Sequence, residues 1–115
     1  MPLTDNPSHE RIRELNDAFR KSLDPTLGRA VLTQGVSALP SNVQAMAMRK
    51  VATFNAFDAD NDPHGEHDFG SFELAGQMLF WKLDYYDPSL EFGSDDPADP
   101  NQTTRVLTLM LASEY

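Results

Sequence analysis

Seven side chains able to bind cations or carry protons fall within one short stretch: Asp58, Asp60, Asp62, His64, Glu66, His67 and Asp68. Alternating carboxylates are how a calcium loop spaces its oxygen ligands, and read from Asp58 the segment has acids at loop positions 1, 3 and 5. Pro63 then stands where such a loop needs glycine, and Phe69 where the bidentate glutamate belongs. Starting instead from Asp60 recovers Gly65 at the glycine position but puts Ser71 at the glutamate position. Neither frame supplies the bidentate ligand, so an EF-hand is not expected. The remaining metal candidates are Asp60, Asp62, His64, His67 and Asp68, a mixed nitrogen and oxygen set suited to a small metal-dependent hydrolase or nuclease-like enzyme. His64 and His67 straddle a glycine, so nothing in the spacing makes their rings converge, and no metal or other cofactor is predicted. The competing reading of the same residues is a turn in which Asp58, Asp60 and Asn61 satisfy backbone donors, Pro63 and Gly65 shape the chain, and His67 docks against a neighbour.

The elements on either side must position that segment. Ile12, Leu15, Phe19 and Leu23 recur at helical spacing, with Ala18 widening the stripe, which predicts an amphipathic helix from Pro7 to Leu23. Asn6 suits its N-cap and Glu10 its first turn. Arg20 and Lys21 suit its negative end, and Asp24-Pro25 stops it. A short strand over Arg29–Thr33 follows Gly28. A second helix is predicted from Ser41, where Ser41-x-x-Gln44 has the form of a capping box, through Val43, Met46, Ala47, Val51 and Phe54, ending near residues 55–57.

Beyond the polar segment, Phe69–Leu74 and Gln77–Tyr86 alternate as strands around the two-residue loop Ala75-Gly76, which pairs positions whose numbers sum to 151. That register sets Phe72, Leu74, Leu79, Trp81 and Leu83 on one face and places Gly70 opposite Trp81, leaving room for the indole. Phe69, Ser71, Glu73, Met78, Phe80, Lys82 and Asp84 share the other face, whose half-apolar character predicts a partner or a homodimer through Met78 and Phe80. The same register sets His67 opposite Asp84, a carboxylate that would orient the imidazole for acid-base work, with Ser71 as the one nearby hydroxyl. No nucleophile is paired with the couple, and a structural His–Asp pair is the simpler expectation.

Residues 87–102 contain Pro88, Pro97, Pro100 and Gly93 and cannot form a regular element. This loop carries Asp87, Glu91, Asp95, Asp96 and Asp99 without a Lys or Arg, and these five acids are the predicted partner-binding residues. Residues 103–112 then read as a last strand with Leu107, Leu109 and Leu111 on one face, although Leu107, Met110 and Leu111 also fit a helical period. The predicted fold is α+β, in the order α-β-α-β-β-β. It is a two-layer sandwich with two helices on one face of a mainly antiparallel four-stranded sheet, forming a single domain over residues 1–115 with a flexible stretch at 1–6.

Composition narrows the function classes. The sequence has no cysteine, which removes thiol chemistry, thiolate metal sites and disulfides. No apolar run is long enough for a secretory leader or a membrane span, so the expectation is a cytoplasmic protein with no membrane role. Residues 1–50 hold five acids against seven bases, whereas residues 51–115 hold thirteen acids against only Lys82 and Arg105. A field of that sign repels phosphates and attracts basic protein surfaces, so direct nucleic-acid binding is not expected.

Four strings carry a family resemblance: residues 61–70, NDPHGEHDFG; residues 80–87, FWKLDYYD; residues 95–100, DDPADP; and residues 103–115, TTRVLTLMLASEY. Together they resemble the small bacterial proteins grouped as domain of unknown function family 3768, over nearly the whole chain from about Ile12 to Tyr115. The resemblance implies alphaproteobacterial hosts and frequent carriage on mobile elements, and it supplies no catalytic residues. The leading expectation is therefore a small acidic, non-enzymatic interaction protein, of the antirestriction or anti-CRISPR kind, contacting a basic nucleic-acid-binding surface. A metal-dependent enzyme using the Asp60–Asp68 cluster and a structural or assembly module are the alternatives.

Overall fold

The computed structural model describes residues 7–115, so the expected cap at Asn6 and the expected flexible stretch at 1–6 lie outside the described residues. Helix α1 spans Pro7–Ser22 and buries Ile12, Leu15 and Phe19 of the predicted stripe, whereas Leu23, expected on the same stripe, lies past the helix end and is exposed. It ends where Leu23 turns left-handed (φ 55°) and donates its N–H to the Phe19 carbonyl at 2.7 Å, a C-terminal closure that satisfies one of the helix's unpaired carbonyls. Strand β1, Gly28–Leu32, leads into a single helical turn, α2, at Gln34–Ser37. That turn was not evident from periodicity. It is pinned from the far end of the chain by the Glu114 carboxylate, which accepts bonds from the Thr33 hydroxyl (2.7 Å), the Gly35 N–H (2.9 Å) and the Leu111 N–H (2.8 Å).

Helix α3 covers Ser41–Thr53, slightly shorter than its pattern predicts. The expected Ser41 capping box is not formed. Pro40 is the N-cap and makes no side-chain cap, while the Gln44 carboxamide reaches back to donate to the carbonyls of Ser37 (3.1 Å) and Leu39 (2.8 Å). Proline at that position already fixes the entry backbone, so Ser41 becomes the first helical residue and its hydroxyl loses the capping geometry.

Strands β2 (Phe69–Leu74), β3 (Gln77–Tyr86) and β4 (Thr104–Leu111) complete a sheet of order β1-β4-β3-β2, with β1 parallel to β4 and the other pairs antiparallel. The β2–β3 register is the predicted one, from Leu74 opposite Gln77 to Phe69 opposite Lys82. Ala75 and Gly76 both have positive φ (54° and 75°), as a tight hairpin turn matched to strand twist requires. The final segment is a strand. Its alternation buries Arg105, Leu107 and Leu109 on the face covered by the helices, and a 3-10 turn at Ala112–Glu114 follows.

The core is built around Trp81, fully buried with Phe19, Val51, Leu79, Leu83, Leu107 and Leu109, and met edge-on by Phe54 (ring centroids 5.6 Å apart) and Phe57 (6.1 Å). Gly70 lies under the indole: a methyl group there would stand 2.7 Å from Trp81 Cε2 and 2.9 Å from Phe54 Cε1. The opposite sheet face carries Phe69, Phe80 and Tyr115 in mutual ring contact, with centroids 5.4 to 6.2 Å apart, while Met78 stands exposed. Among the described residues, no helix is long and apolar enough to cross a membrane.

Candidate functional site

The polar segment between α3 and β2 folds against α1, and His67 is its centre. His67 takes a left-handed backbone (φ 56°), a conformation that non-glycine side chains rarely adopt. This left-handed residue breaks the two-residue alternation before β2 begins, so the expected pairing of His67 with Asp84 does not occur. Its imidazole turns to the helix side, where Nδ1 lies 3.0 and 3.1 Å from the two carboxylate oxygens of Asp17 and Nε2 lies 3.8 Å from Asp62. Asp84 instead pairs with Lys82 at 2.9 Å, and that hydrogen bond raises the lysine above its ordinary value. Ser71, opposite Phe80 on the outer face, does not share a surface with His67.

The His67 ring stacks on Phe57 with centroids 3.8 Å apart and planes within 4°. Behind them Arg20, nearly fully buried, donates to Asp17 (3.0 Å) and to the carbonyls of Val51 (2.7 Å) and Ala52 (3.2 Å), with its guanidinium over the Phe57 and Trp81 rings. Arg20 lies in the last turn of α1, as expected from sequence, and its guanidinium also serves the carbonyls at the negative end of α3. Beside this clasp lies an open cleft of about 740 Å³ lined by Asp17, Arg20, Lys21, Thr53, Asn55, Phe57 and His67. Both imidazole nitrogens face carboxylates of the chain itself, and one ring face is covered by Phe57. That is the arrangement of a structural pin, whereas a general base needs a nitrogen directed at a substrate.

One layer deeper lies a buried polar network. The fully buried Asn16 donates from Nδ2 to the Glu66 carbonyl (2.9 Å) and to the Tyr85 hydroxyl (2.8 Å), and its carboxamide oxygen accepts from Arg105 Nε (2.7 Å). Tyr85 donates to the Glu66 carboxylate (2.9 Å), and His9 approaches the other Glu66 oxygen at 3.6 Å. Burial pushes the Tyr85 hydroxyl far above its ordinary value, with the charges of Glu66 and Asp68 adding to it, so the group stays a donor. Burial likewise lowers Arg105, against the pull of Tyr85 and Glu66.

The metal candidates do not gather. Asp58 Oδ1 accepts from the N–H groups of Asp60 (2.9 Å) and Asn61 (3.0 Å), and Asp62 Oδ1 caps the N–H groups of Glu66 and His67 (3.0 Å each). Asp60 is exposed, and the exposed His64 ring meets His9 edge-on at 5.4 Å. Asp68 is raised above its ordinary value, chiefly by burial and then by Glu66 and Asp62. Among the described residues, no three His, Asp or Glu side chains are placed to hold an ion. The segment is an Asx-type turn, as the competing reading expected, with Asp58 and Asn61 among its organisers; the third is Asp62 and not the expected Asp60, whose carboxylate is exposed.

The acidic loop is tied down at both ends. Arg105 Nη2 donates to the Pro97 carbonyl. Thr103 Oγ1 donates to the Asp96 carbonyl (2.8 Å) and lies 2.7 Å from Ser94 Oγ, while Tyr86 bridges Gly93. The five predicted partner-binding acids divide by role. Asp87 accepts from the Ser89 hydroxyl (2.7 Å) and the Glu91 N–H (3.2 Å), and Asp99 from the Gln102 side chain and the Asn101 N–H (2.9 Å each). These bonds, the hydroxyl and carboxamide first, lower both carboxylates, which act as half-buried turn caps. Glu91, Asp95 and Asp96 are exposed, and Asp96 also accepts from the Ala98 N–H (3.2 Å).

Sequence reasoning missed the burial of Asn16, Arg20, Asp62, Glu66, Thr103 and Arg105 and the half-buried Tyr85, whose hydroxyl joins Asn16 to Glu66. Two had a signal: Asn16 lies on the Ile12–Phe19 helical stripe, and Arg105 alternates with Leu107 and Leu109. No curated protein and no solved structure matches the chain. A family model described as protein of unknown function (DUF3768) matches residues 32–114, a span that takes in the His67 turn, the hairpin and the acidic loop, and the chain belongs to that family.

Proposed function

We propose that the protein is a non-enzymatic interaction module whose 87–102 loop contacts a basic protein surface. The observation that carries this reading is the construction of the loop. It is anchored by Arg105, Thr103 and Ser94, it presents Glu91, Asp95 and Asp96 to solvent, and it contains no Lys or Arg. An ordered array of like charges repels itself, and such repulsion is tolerated where an oppositely charged surface uses the field to steer association. The polar cluster that could have argued for catalysis is occupied by internal bonds, which favours the interaction reading over the enzyme one.

A basic surface of this kind is what nucleic-acid-binding sites display. The proposed setting is therefore the cytoplasm, with the loop blocking a phosphate-binding surface on a restriction or CRISPR-type complex. The test begins with affinity purification from a native host to identify a partner. Association is then measured at several ionic strengths for the parent protein and for Glu91→Gln, Asp95→Asn, Asp96→Asn. The triple variant should stay within about 1 kcal/mol of parental stability, associate several-fold more slowly and lose most of its salt dependence. Unchanged association at low salt removes the loop from the interface.

A further inference from the structure

The tip of the acidic loop exposes two large apolar side chains: Phe92 at 70% and Leu90 at 37% relative exposure. They are held there. Leu90 is left-handed (φ 62°) and donates its N–H to the Asp87 carbonyl at 2.9 Å. Asp87 in turn donates its own N–H to the Phe92 carbonyl (2.8 Å), and its carboxylate caps Ser89 and Glu91. A non-glycine residue in this backbone region is costly and persists where surrounding bonds over-determine it. Here those bonds fix a tip that turns an aromatic ring away from the core, which neither stability nor solubility explains. A pre-ordered, exposed aromatic in a loop whose charged side chains are all acidic has the pattern of an interface anchor, because its ordering cost is met before binding.

We propose that Phe92, supported by Leu90, is the hydrophobic anchor of the interface, and that its occupant is a cationic amphipathic helix. The apolar stripe of that helix would cover Phe92 and Leu90 while its flanking Lys and Arg side chains meet Glu91, Asp95 and Asp96. Charge complementarity selects this occupant, since Glu91 lies between the two apolar residues and every charged side chain of the loop is acidic. The inference rests on the interaction reading above and adds to it the residue that confers selectivity.

The probes are two synthetic peptides of about 14 residues, roughly four helical turns, with equal numbers of lysines: one with leucines at helical spacing, the other with serines in their place. Binding to the whole protein is read by fluorescence anisotropy at low and moderate salt, and the contact by amide NMR shifts. The Lys/Leu peptide should bind roughly tenfold more tightly than the Lys/Ser peptide and shift the resonances of residues 89–93. Phe92→Ala should erase that margin, and Phe92→Trp should keep it. If the margin survives Phe92→Ala, or if the shifts fall instead on the outer sheet face around Met78 and Phe80, the anchor is wrong while the acidic-loop reading stands. If Glu91→Gln, Asp95→Asn, Asp96→Asn changes the binding of neither peptide, both the anchor and the reading beneath it fail.

Discussion

Arg105 donates from Nε to the side-chain oxygen of Asn16 at 2.7 Å, joining β4 to α1 across 89 positions of sequence. The same guanidinium holds the Pro97 carbonyl, so one buried side chain braces the helix layer and the acidic loop together. Asn16 is equally shared, since it also holds the Glu66 carbonyl and the Tyr85 hydroxyl.

Removing Asn16 should therefore be expensive for its size. Asn16→Ala strands a buried guanidinium donor and a buried carbonyl at once, and an expected loss of about 3 kcal/mol follows from leaving such groups unpaired. Urea melts decide it, and a loss under about 1 kcal/mol would mean that water or a shifted Arg105 replaces the contact.

Gly70→Val should destabilise by about 1–3 kcal/mol through overpacking. The added carbon meets the Trp81 and Phe54 rings at 2.7 and 2.9 Å, and neither ring is the loose end of a flexible chain. An unchanged denaturation midpoint would show that β2 can move away from the indole.

At position 67 the backbone and the ring make opposite demands. His67→Ala loses the Asp17 and Asp62 contacts and keeps a left-handed non-glycine, with an expected cost of about 1–2 kcal/mol. His67→Gly loses the same contacts but relaxes the backbone, and should be no worse than the alanine variant by about 0.5 kcal/mol. Thermal melts giving the reverse order by a wide margin would indicate that the positive φ is not retained. A double-mutant cycle with Asp17→Ala measures the His67–Asp17 coupling.

Asp68 gives stability a pH dependence of definite sign. Its folded-state value lies above the ordinary 3.8, mainly through burial, so the folded chain holds this proton more tightly than the unfolded one. The contribution is fully present below the unfolded value and is lost as pH rises through the raised folded value. Asp68→Asn, neutral at every pH, should be more stable than the parent near neutrality, and the difference should shrink as pH falls toward 3.8. Denaturant melts across that range check it, and a gap that widens on acidification would reverse the assignment.

What the sequence determined by itself was local or periodic. Alternation in Phe69–Leu74 and Gln77–Tyr86, joined by a two-residue turn, specified the register and the Gly70–Trp81 contact, because a slip of one residue would have turned every core side chain to solvent. Helical spacing specified the buried stripe of α1, and alternation also predicted the last strand. Asp58 bonds to donors two and three residues away, so its part of the 58–62 turn was legible, whereas the cap from Asp62 in place of Asp60 was not. Only the tertiary structure decided where the polar side chains went. Asp17 meets His67 across 50 positions, Asn16 meets Tyr85 across 69, and Glu114 reaches back to Thr33 across 81. No period in the chain encodes such pairs, and the positive φ at His67 overrode the strand alternation that would have sent its ring to the other face. Long-range burial chose the partners of these groups, because a polar atom taken from water is costly unless the packed layers bring a donor or acceptor near it.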